Sequence, residues 1–113
     1  PHYRQAVGLS PNSPIYLNDL AWLLATHPEA DVRNGPEAVA LAQKAVELTG
    51  GTQAAFLGTL GAAYAEMGQF TEAIAAAGKA RDLARAAGQT EIAETNTQLL
   101  DLYRARKPYR QQP

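Results

Sequence analysis

The chain has 113 residues, of which 46% are apolar, and its eleven acidic side chains nearly balance its ten basic ones. The resulting net charge of -1 gives no electrostatic reason to expect nucleic acid or an anionic membrane surface as the main partner. Because the chain has no cysteine, disulfides, thiolate zinc sites and a cysteine nucleophile are excluded. No apolar run reaches the ~18 residues that a membrane-spanning helix needs.

The amino-acid usage predicts an all-α fold. Alanine (23 residues) and leucine (13 residues) far outnumber valine (4) and isoleucine (3). Alanine and leucine favour helices, whereas β-branched residues are typical of strands. No stretch alternates strictly between apolar and polar residues, so we expect no sheet. Since much of the apolar content is alanine, the helices should pack closely.

The N-terminal part of the chain predicts one partial and one complete helix. Residues 1–12 are interpreted as the end of a helix that begins upstream, followed by a loop. Ser13 as an N-cap and Pro14 as the first helical residue then favour a helix over 14–26. A polar inserted loop over 27–35 follows, with room for one helical turn.

Four further helices follow in chain order, each with apolar residues at helical spacing. They are predicted over residues 36–49, 53–67, 71–87 and 90–106. Asn34 is a candidate N-cap for the first of them, and glycines end the first three. Lys107 and Pro108 end the last helix, and we expect the tail from Tyr109 to Pro113 to be frayed.

Two of these helix pairs share a pattern of spaced residues. One set consists of Leu57, Leu60, Gly61, Tyr64, Gly68, Phe70, Ala73, Ala77 and Ala80, and the other of Leu17, Leu20, Ala21, Leu24, Ala38, Ala42 and Ala45. This pattern resembles the tetratricopeptide repeat, a helix-turn-helix unit of about 34 residues. Small residues such as Gly61 and Ala73 would let the two helices of a pair touch.

The resemblance implies a single all-α domain over 1–113, built of antiparallel helix-turn-helix repeats. One repeat would cover 14–50 and the next 53–88, followed by a capping helix over 89–107 and the tail. Two repeats are near the minimum for a stable array. We therefore expect the C-terminal part of a larger protein, and the alanine-rich repeats suggest a bacterial source.

The resemblance also implies where a ligand would bind, because the first helix of each pair lines a concave groove in this family. The corresponding positions are Ile15, Asn18, Trp22, Ala25, Ala55, Gly58, Ala62, Glu66, Thr97, Asp101 and Arg104. The amide of Asn18 could bond a peptide backbone, and Trp22 would supply contact area. Trp22 could equally be a core residue, and the small residues could serve helix packing. The groove positions carry no lysine, which disfavours recognition of an acidic terminus.

No arrangement typical of catalysis or of a cofactor site is found. His2 and His27 lack metal-ligand spacing, and Ser10 and Ser13 lie in a capping loop without a nearby base. A basic end of the last helix is favoured by the helix dipole alone, without a nucleic-acid partner. We therefore expect no enzymatic activity, no cofactor and no metal in this chain.

Two functions remain open on the sequence alone. The first is a non-catalytic protein-interaction module that binds a peptide segment in the groove. The alternative is a structural spacer or self-association element of a larger protein. In that case a homo-oligomer would form through an uncovered N-terminal edge at Tyr3, Val7 and Leu17.

Overall fold

Five α-helices make up the computed structural model, which describes residues 13–111. They span Pro14–Thr26 (α1), Gly35–Leu48 (α2), Ala54–Glu66 (α3), Phe70–Ala86 (α4) and Thr90–Arg104 (α5). No strand occurs within that range, so the predicted all-α class is confirmed. Each helix lies within two residues of its predicted bounds. The predicted end of an upstream helix, over 1–12, lies outside the described residues.

The helix ends follow local signals in the sequence. Asn34 caps α2, because its side-chain oxygen accepts a hydrogen bond of 3.2 Å from the backbone N–H of Glu37. Gly68 (φ 75°) and Gly88 (φ 73°) close α3 and α4 in the left-handed conformation that glycine adopts without steric cost. Arg106, with φ 59°, takes the same role after α5 and is the one described non-glycine residue with positive φ.

The helices pack in two layers. Each helix contacts the next in the chain, as antiparallel helices joined by short connections do. In addition α1 contacts α3 and α3 contacts α5, whereas among the described residues α2 does not touch α4. The odd-numbered helices therefore form one layer, which is called the concave side because the two clefts described below lie on it, and α2 and α4 form the outer layer.

Small residues set the distance between paired helices. A Cβ atom added at Gly61 of α3 would lie 3.2 Å from the carbonyl oxygen of Ala73 and 3.4 Å from the backbone nitrogen of Ala77, both in α4. The equivalent crossing of α1 and α2 contains Ala21 and Ala38, which are fully buried. The predicted role of Gly61 and Ala73 in this close approach is therefore confirmed.

The start of α1 differs from its predicted exposure. Leu17 is only 1% exposed because it lies on the buried face of α1, so the prediction that it belongs to an uncovered edge is wrong. Tyr3 and Val7 lie outside the described residues. Ile15 and Tyr16 are exposed instead, by 62% and 43%.

In the part of the chain that the structure describes, no helix has both the length and the hydropathy to cross a bilayer.

Candidate functional site

Two adjoining clefts lie on the concave side between α1, α3 and α5. The first, of about 260 Å³, is lined by residues that include Trp22, Ala55, Gly58, Glu91, Thr95, Asn96 and Leu99. The second, of about 270 Å³, is lined by Trp22, Thr95, Gln98, Leu99, Leu102 and Tyr109. Because Trp22, Thr95 and Leu99 line both, the clefts are continuous, and together they are called the Trp22 groove.

Three of the residues predicted to face a groove meet in the first cleft. Trp22 is half-buried there, opposite the exposed Ala55 and the buried Gly58 of α3. A Cβ atom at Gly58 would lie 3.0 Å from the Oδ1 atom of Asn96, so the missing side chain also lets α5 pack against α3. Asn96 is 3% exposed, and its Nδ2 atom donates to the carbonyl oxygen of Ile92 at 2.9 Å.

Five other predicted residues of α1 and α3 line neither cleft, and one of them, Glu66, is described below. Ala25 and Ala62 are buried in the core beside α2, where their small size serves helix packing. Ile15 is exposed at the start of α1. Asn18 is half-buried one turn before Trp22, and its buried Oδ1 atom has no hydrogen-bond partner among the described residues.

The predicted positions of α5 lie away from the Trp22 groove. Asp101 and Arg104 have side chains 79% and 58% exposed and approach each other to 3.8 Å as an ion pair. Thr97 lines a separate open cleft of about 530 Å³ with Arg85 and Glu94. The clefts lie between α5 and the helices before it, so α5 contributes the side that faces back toward them.

The segment after α5 folds back onto the concave side. Arg106 reverses the chain, and its backbone N–H donates to the carbonyl oxygen of Tyr103 at 2.9 Å. The N–H of Lys107 donates to the carbonyl oxygen of Leu102 at 3.0 Å, which fixes the reversal. Residues 108–111, called the return segment, are half-buried. The prediction of a frayed tail is therefore wrong for residues 109–111, and 112–113 lie outside the described range.

The return segment runs from the end of α5 past the last residue of α3 to the last residue of α1. The ring centroid of Tyr109 lies 5.6 Å from that of Trp22, with the planes inclined by 30°. The Nη2 atom of Arg110 lies 2.7 Å from the Oε1 atom of Glu66. The backbone N–H of Gln111 donates to the carbonyl oxygen of Thr26 at 2.7 Å. Three successive residues thus make an aromatic, an ionic and a main-chain contact.

The buried Thr26 binds the end of this segment through hydrogen bonds. Its Oγ1 atom donates to the carbonyl oxygen of Trp22 at 2.7 Å and accepts from Nε2 of Gln111 at 2.7 Å. Its own carbonyl oxygen belongs to the last turn of α1, where no later helical N–H is available. The Gln111 amide therefore satisfies an acceptor that the helix leaves open.

The inserted loop holds Glu66 in place. The Nε atom of Arg33 lies 3.3 Å from the Oε2 atom of Glu66, and both side chains are about 15% exposed. The Nη1 atom of Arg33 donates to the carbonyl oxygens of His27 and Pro28, at 2.7 and 3.1 Å. Arg33 is thus fixed at three points and leaves the Oε1 atom of Glu66 for Arg110. Glu66 was predicted for the groove, whereas Arg33 was not.

Tyr109 of the return segment packs against the apolar cluster that contains Tyr103. The Tyr103 side chain is completely buried, and its hydroxyl has no hydrogen-bond partner in the described residues. Burial raises the pKa of Tyr103, and the neighbouring Tyr109 raises it further. Tyr103 is therefore neutral at physiological pH.

The Trp22 groove offers contacts for an extended chain. Its lining combines apolar surface at Trp22 and Leu99 with the carboxylate of Glu91.

Within residues 13–111, no three histidine, aspartate or glutamate side chains are grouped so that they could hold a metal ion. A search of protein-family models, of curated proteins and of solved structures finds no match to the chain.

Proposed function

We propose that the chain is a non-catalytic protein-interaction module that binds an extended peptide segment in the Trp22 groove and over the adjoining Glu66 and Thr26. The observation that carries this proposal is the return segment, which lies on that surface through main-chain, aromatic and ionic contacts. These are the contacts by which proteins hold extended peptides. The resemblance of the helix pairs to the tetratricopeptide repeat supports the same function.

The surface is also preorganised for binding. The Thr26 side chain is buried and hydrogen-bonded, and Arg33 fixes the Glu66 carboxylate. Trp22 is half-buried and has only two side-chain torsions to order. Groups that are already held in place lose little conformational entropy when a ligand binds, so more of the contact energy remains as affinity.

A peptide library displayed on phage provides the test, with the intact chain as the bait. Affinities of the selected peptides are then measured by fluorescence anisotropy of a labelled peptide. Trp22→Ala should weaken binding by about 10-fold or more, because a truncated aromatic anchor typically costs at least ~1.4–2 kcal/mol. Asn18→Ala tests the neighbouring position on α1.

Leu48→Ala is the matched control for the loss of an apolar side chain. Leu48 is 47% exposed and lies on the outer-layer helix α2. Its removal should leave peptide affinity unchanged. If Trp22→Ala and Asn18→Ala also leave affinity unchanged, the groove is not the binding site.

The exposed side chains of Ile15 and Tyr16 favour the alternative function, in which the chain is a spacer or self-association element. Two neighbouring apolar side chains at the start of α1 could pack against a second copy. Light scattering over a concentration series distinguishes the two. Self-association through this surface predicts a dimer that Ile15→Glu abolishes, whereas a monomer at all concentrations contradicts the alternative.

A further inference from the structure

We propose that the groove surface recognises an aromatic residue followed directly by a cationic one, and that the return segment is a built-in competitor for this site. An outside peptide of the same pattern would bind by displacing residues 108–111. This inference rests on the proposed function, because it names the ligand class and the regulation of the same surface.

The aromatic subsite is the place that the Tyr109 side chain takes beside the second cleft, of which it forms one wall. Tyr109 lies there against Trp22, Leu99 and Leu102. The separation of 5.6 Å between the rings of Tyr109 and Trp22 lies in the range in which aromatic pairs attract each other beyond simple area burial. A second aromatic side chain in this position would regain the same contacts, whereas an alanine would lose them.

The cationic subsite is the Oε1 atom of Glu66. Arg33 occupies the Oε2 atom and is itself tied to two carbonyl oxygens, so it cannot swing across to pair with both oxygens. Arg110 is the second cation and is bound at 2.7 Å with a side chain 34% exposed. When Arg110 leaves, the Oε1 atom becomes free for a cation supplied by a ligand.

The charge of the groove also favours a ligand with a basic side chain. Glu91 lines the first cleft, and neither cleft has a lysine or an arginine among its described lining residues. In the clefts an acidic peptide would therefore meet the carboxylate of Glu91 and no cation among the described lining residues. A basic side chain next to the aromatic one is electrostatically complementary to this surface.

The third contact is independent of sequence. The hydrogen bond from Gln111 to the Thr26 carbonyl oxygen uses the backbone N–H, which any residue except proline has. The side-chain bond from Gln111 to Thr26 Oγ1 adds a preference for an amide. Recognition therefore resides mainly in the two preceding residues, Tyr109 and Arg110.

Competition follows from the short connection to α5. A tethered segment acts at an effective concentration in the millimolar range, so it outcompetes a free peptide of equal intrinsic affinity at micromolar concentration. If the tether leaves the site open for about one tenth of the time, an outside ligand binds about 10-fold more weakly than to an open site. The intact chain should therefore bind ligands more weakly than a variant whose return segment is released.

The test uses a labelled peptide with the sequence of residues 106–113 and two forms of the full chain. One is the intact chain, and the other carries Tyr109→Ala and Arg110→Ala to release the return segment. Circular dichroism establishes that both are folded. Fluorescence anisotropy should show that the peptide binds the released variant about 10-fold or more tightly than the intact chain.

Two matched peptides test the recognition pattern. One replaces the tyrosine corresponding to Tyr109 with alanine, and the other replaces the arginine corresponding to Arg110 with glutamate. Both should bind the released variant at least about 10-fold more weakly than the unaltered peptide, because each loses one anchor. If all three peptides bind equally well, the aromatic–cationic pattern is refuted.

The remaining outcomes separate this inference from the proposed function. Equal affinity of the unaltered peptide for the intact chain and the released variant overturns the competition. If this peptide does not bind the released variant while peptides from the library do, the recognition pattern is wrong and the proposed function stands. If no peptide binds either form, the proposed function fails as well. Should the double substitution prevent folding, Gln111→Pro, which removes both hydrogen bonds from Gln111 to Thr26 and keeps Tyr109 and Arg110, replaces it in the same comparison.

Discussion

Gly61 and Gly78 allow one substitution to be compared at two helical positions with opposite expected effects. A Cβ atom at Gly61 would lie 3.2 Å from the carbonyl oxygen of Ala73 and 3.4 Å from the backbone nitrogen of Ala77. Both atoms belong to the backbone of α4, so they can yield only if the helix shifts. A Cβ atom at Gly78, within α4, would meet no atom within 4 Å.

The expected changes in the free energy of unfolding follow from helix propensity and from overpacking, which act in opposite directions. Alanine is more favourable than glycine in a helix interior by about 1 kcal/mol, and Gly78→Ala should stabilise the fold by this amount. Gly61→Ala gains the same term but also overpacks the contact with α4, which costs about 1–3 kcal/mol. The difference between the two variants, about 1–3 kcal/mol, therefore measures the overpacking alone.

Urea denaturation followed by circular dichroism gives the free energy of unfolding of both variants. Gly78→Ala should raise the urea concentration at the midpoint of unfolding. Gly61→Ala should have a lower midpoint than Gly78→Ala, with the same dependence of the free energy of unfolding on urea concentration. A Gly61→Ala variant as stable as Gly78→Ala would show that α3 and α4 do not approach each other as closely as their contact distances require.

Three further predictions concern the end of the chain. Because the pKa of Tyr103 is raised in the folded chain, its hydroxyl stays protonated above pH 10.0, whereas the same hydroxyl ionises in the unfolded chain. The free energy of unfolding should therefore fall as the pH rises above this value, by up to about 1.4 kcal/mol per pH unit. Tyr103→Phe should remove this part of the alkaline slope, and equal slopes in denaturation series would contradict the assignment. Glu66→Gln should weaken the ion pair with the return segment and shift the emission of Trp22, the only tryptophan, to longer wavelength, whereas the exposed control Glu47→Gln should not. Gln111→Pro removes both hydrogen bonds to Thr26, so it should accelerate hydrogen exchange at the end of α1 and cost about 1–3 kcal/mol, and unchanged exchange would exclude these bonds.

The helices could be predicted because their signals are local. Asn34 caps α2 through a residue three positions later, and Gly68 and Gly88 close helices where left-handed backbone is required. Gly61 and Ala73 were identified because small residues at helical spacing have a direct steric meaning. Trp22, Ala55 and Gly58 were placed on one face by the spacing of the repeat, and they do line one cleft.

The return segment could not be predicted because its contacts join distant parts of the chain. Gln111 and Thr26 are 85 positions apart, and Arg33 and Glu66 are 33 apart. Residues 108–111 have no apolar periodicity, so composition alone predicts a frayed tail. The signal that could have pointed to folding back is the occurrence of Tyr109 and Arg110 together after a helix end.

The orientation of α5 was likewise beyond local reasoning. The repeat spacing assigns Thr97, Asp101 and Arg104 to the groove, on the premise that α5 presents the same side as α3. In the structure α5 instead lines the clefts with the side that faces back toward α1 and α3. Which side a helix presents to a cleft depends on the helices packed against it and not on its own sequence alone.

The most direct test of the account is a nuclear magnetic resonance titration of the isotope-labelled released variant with the peptide of residues 106–113. Binding in the Trp22 groove predicts chemical-shift changes at the Trp22 indole N–H and at the backbone amides of Thr26 and Glu66. The outer-layer helices α2 and α4 should remain unaffected. Shifts confined to those outer helices, or none at saturating peptide, would contradict the claim that the concave side is a peptide-binding surface.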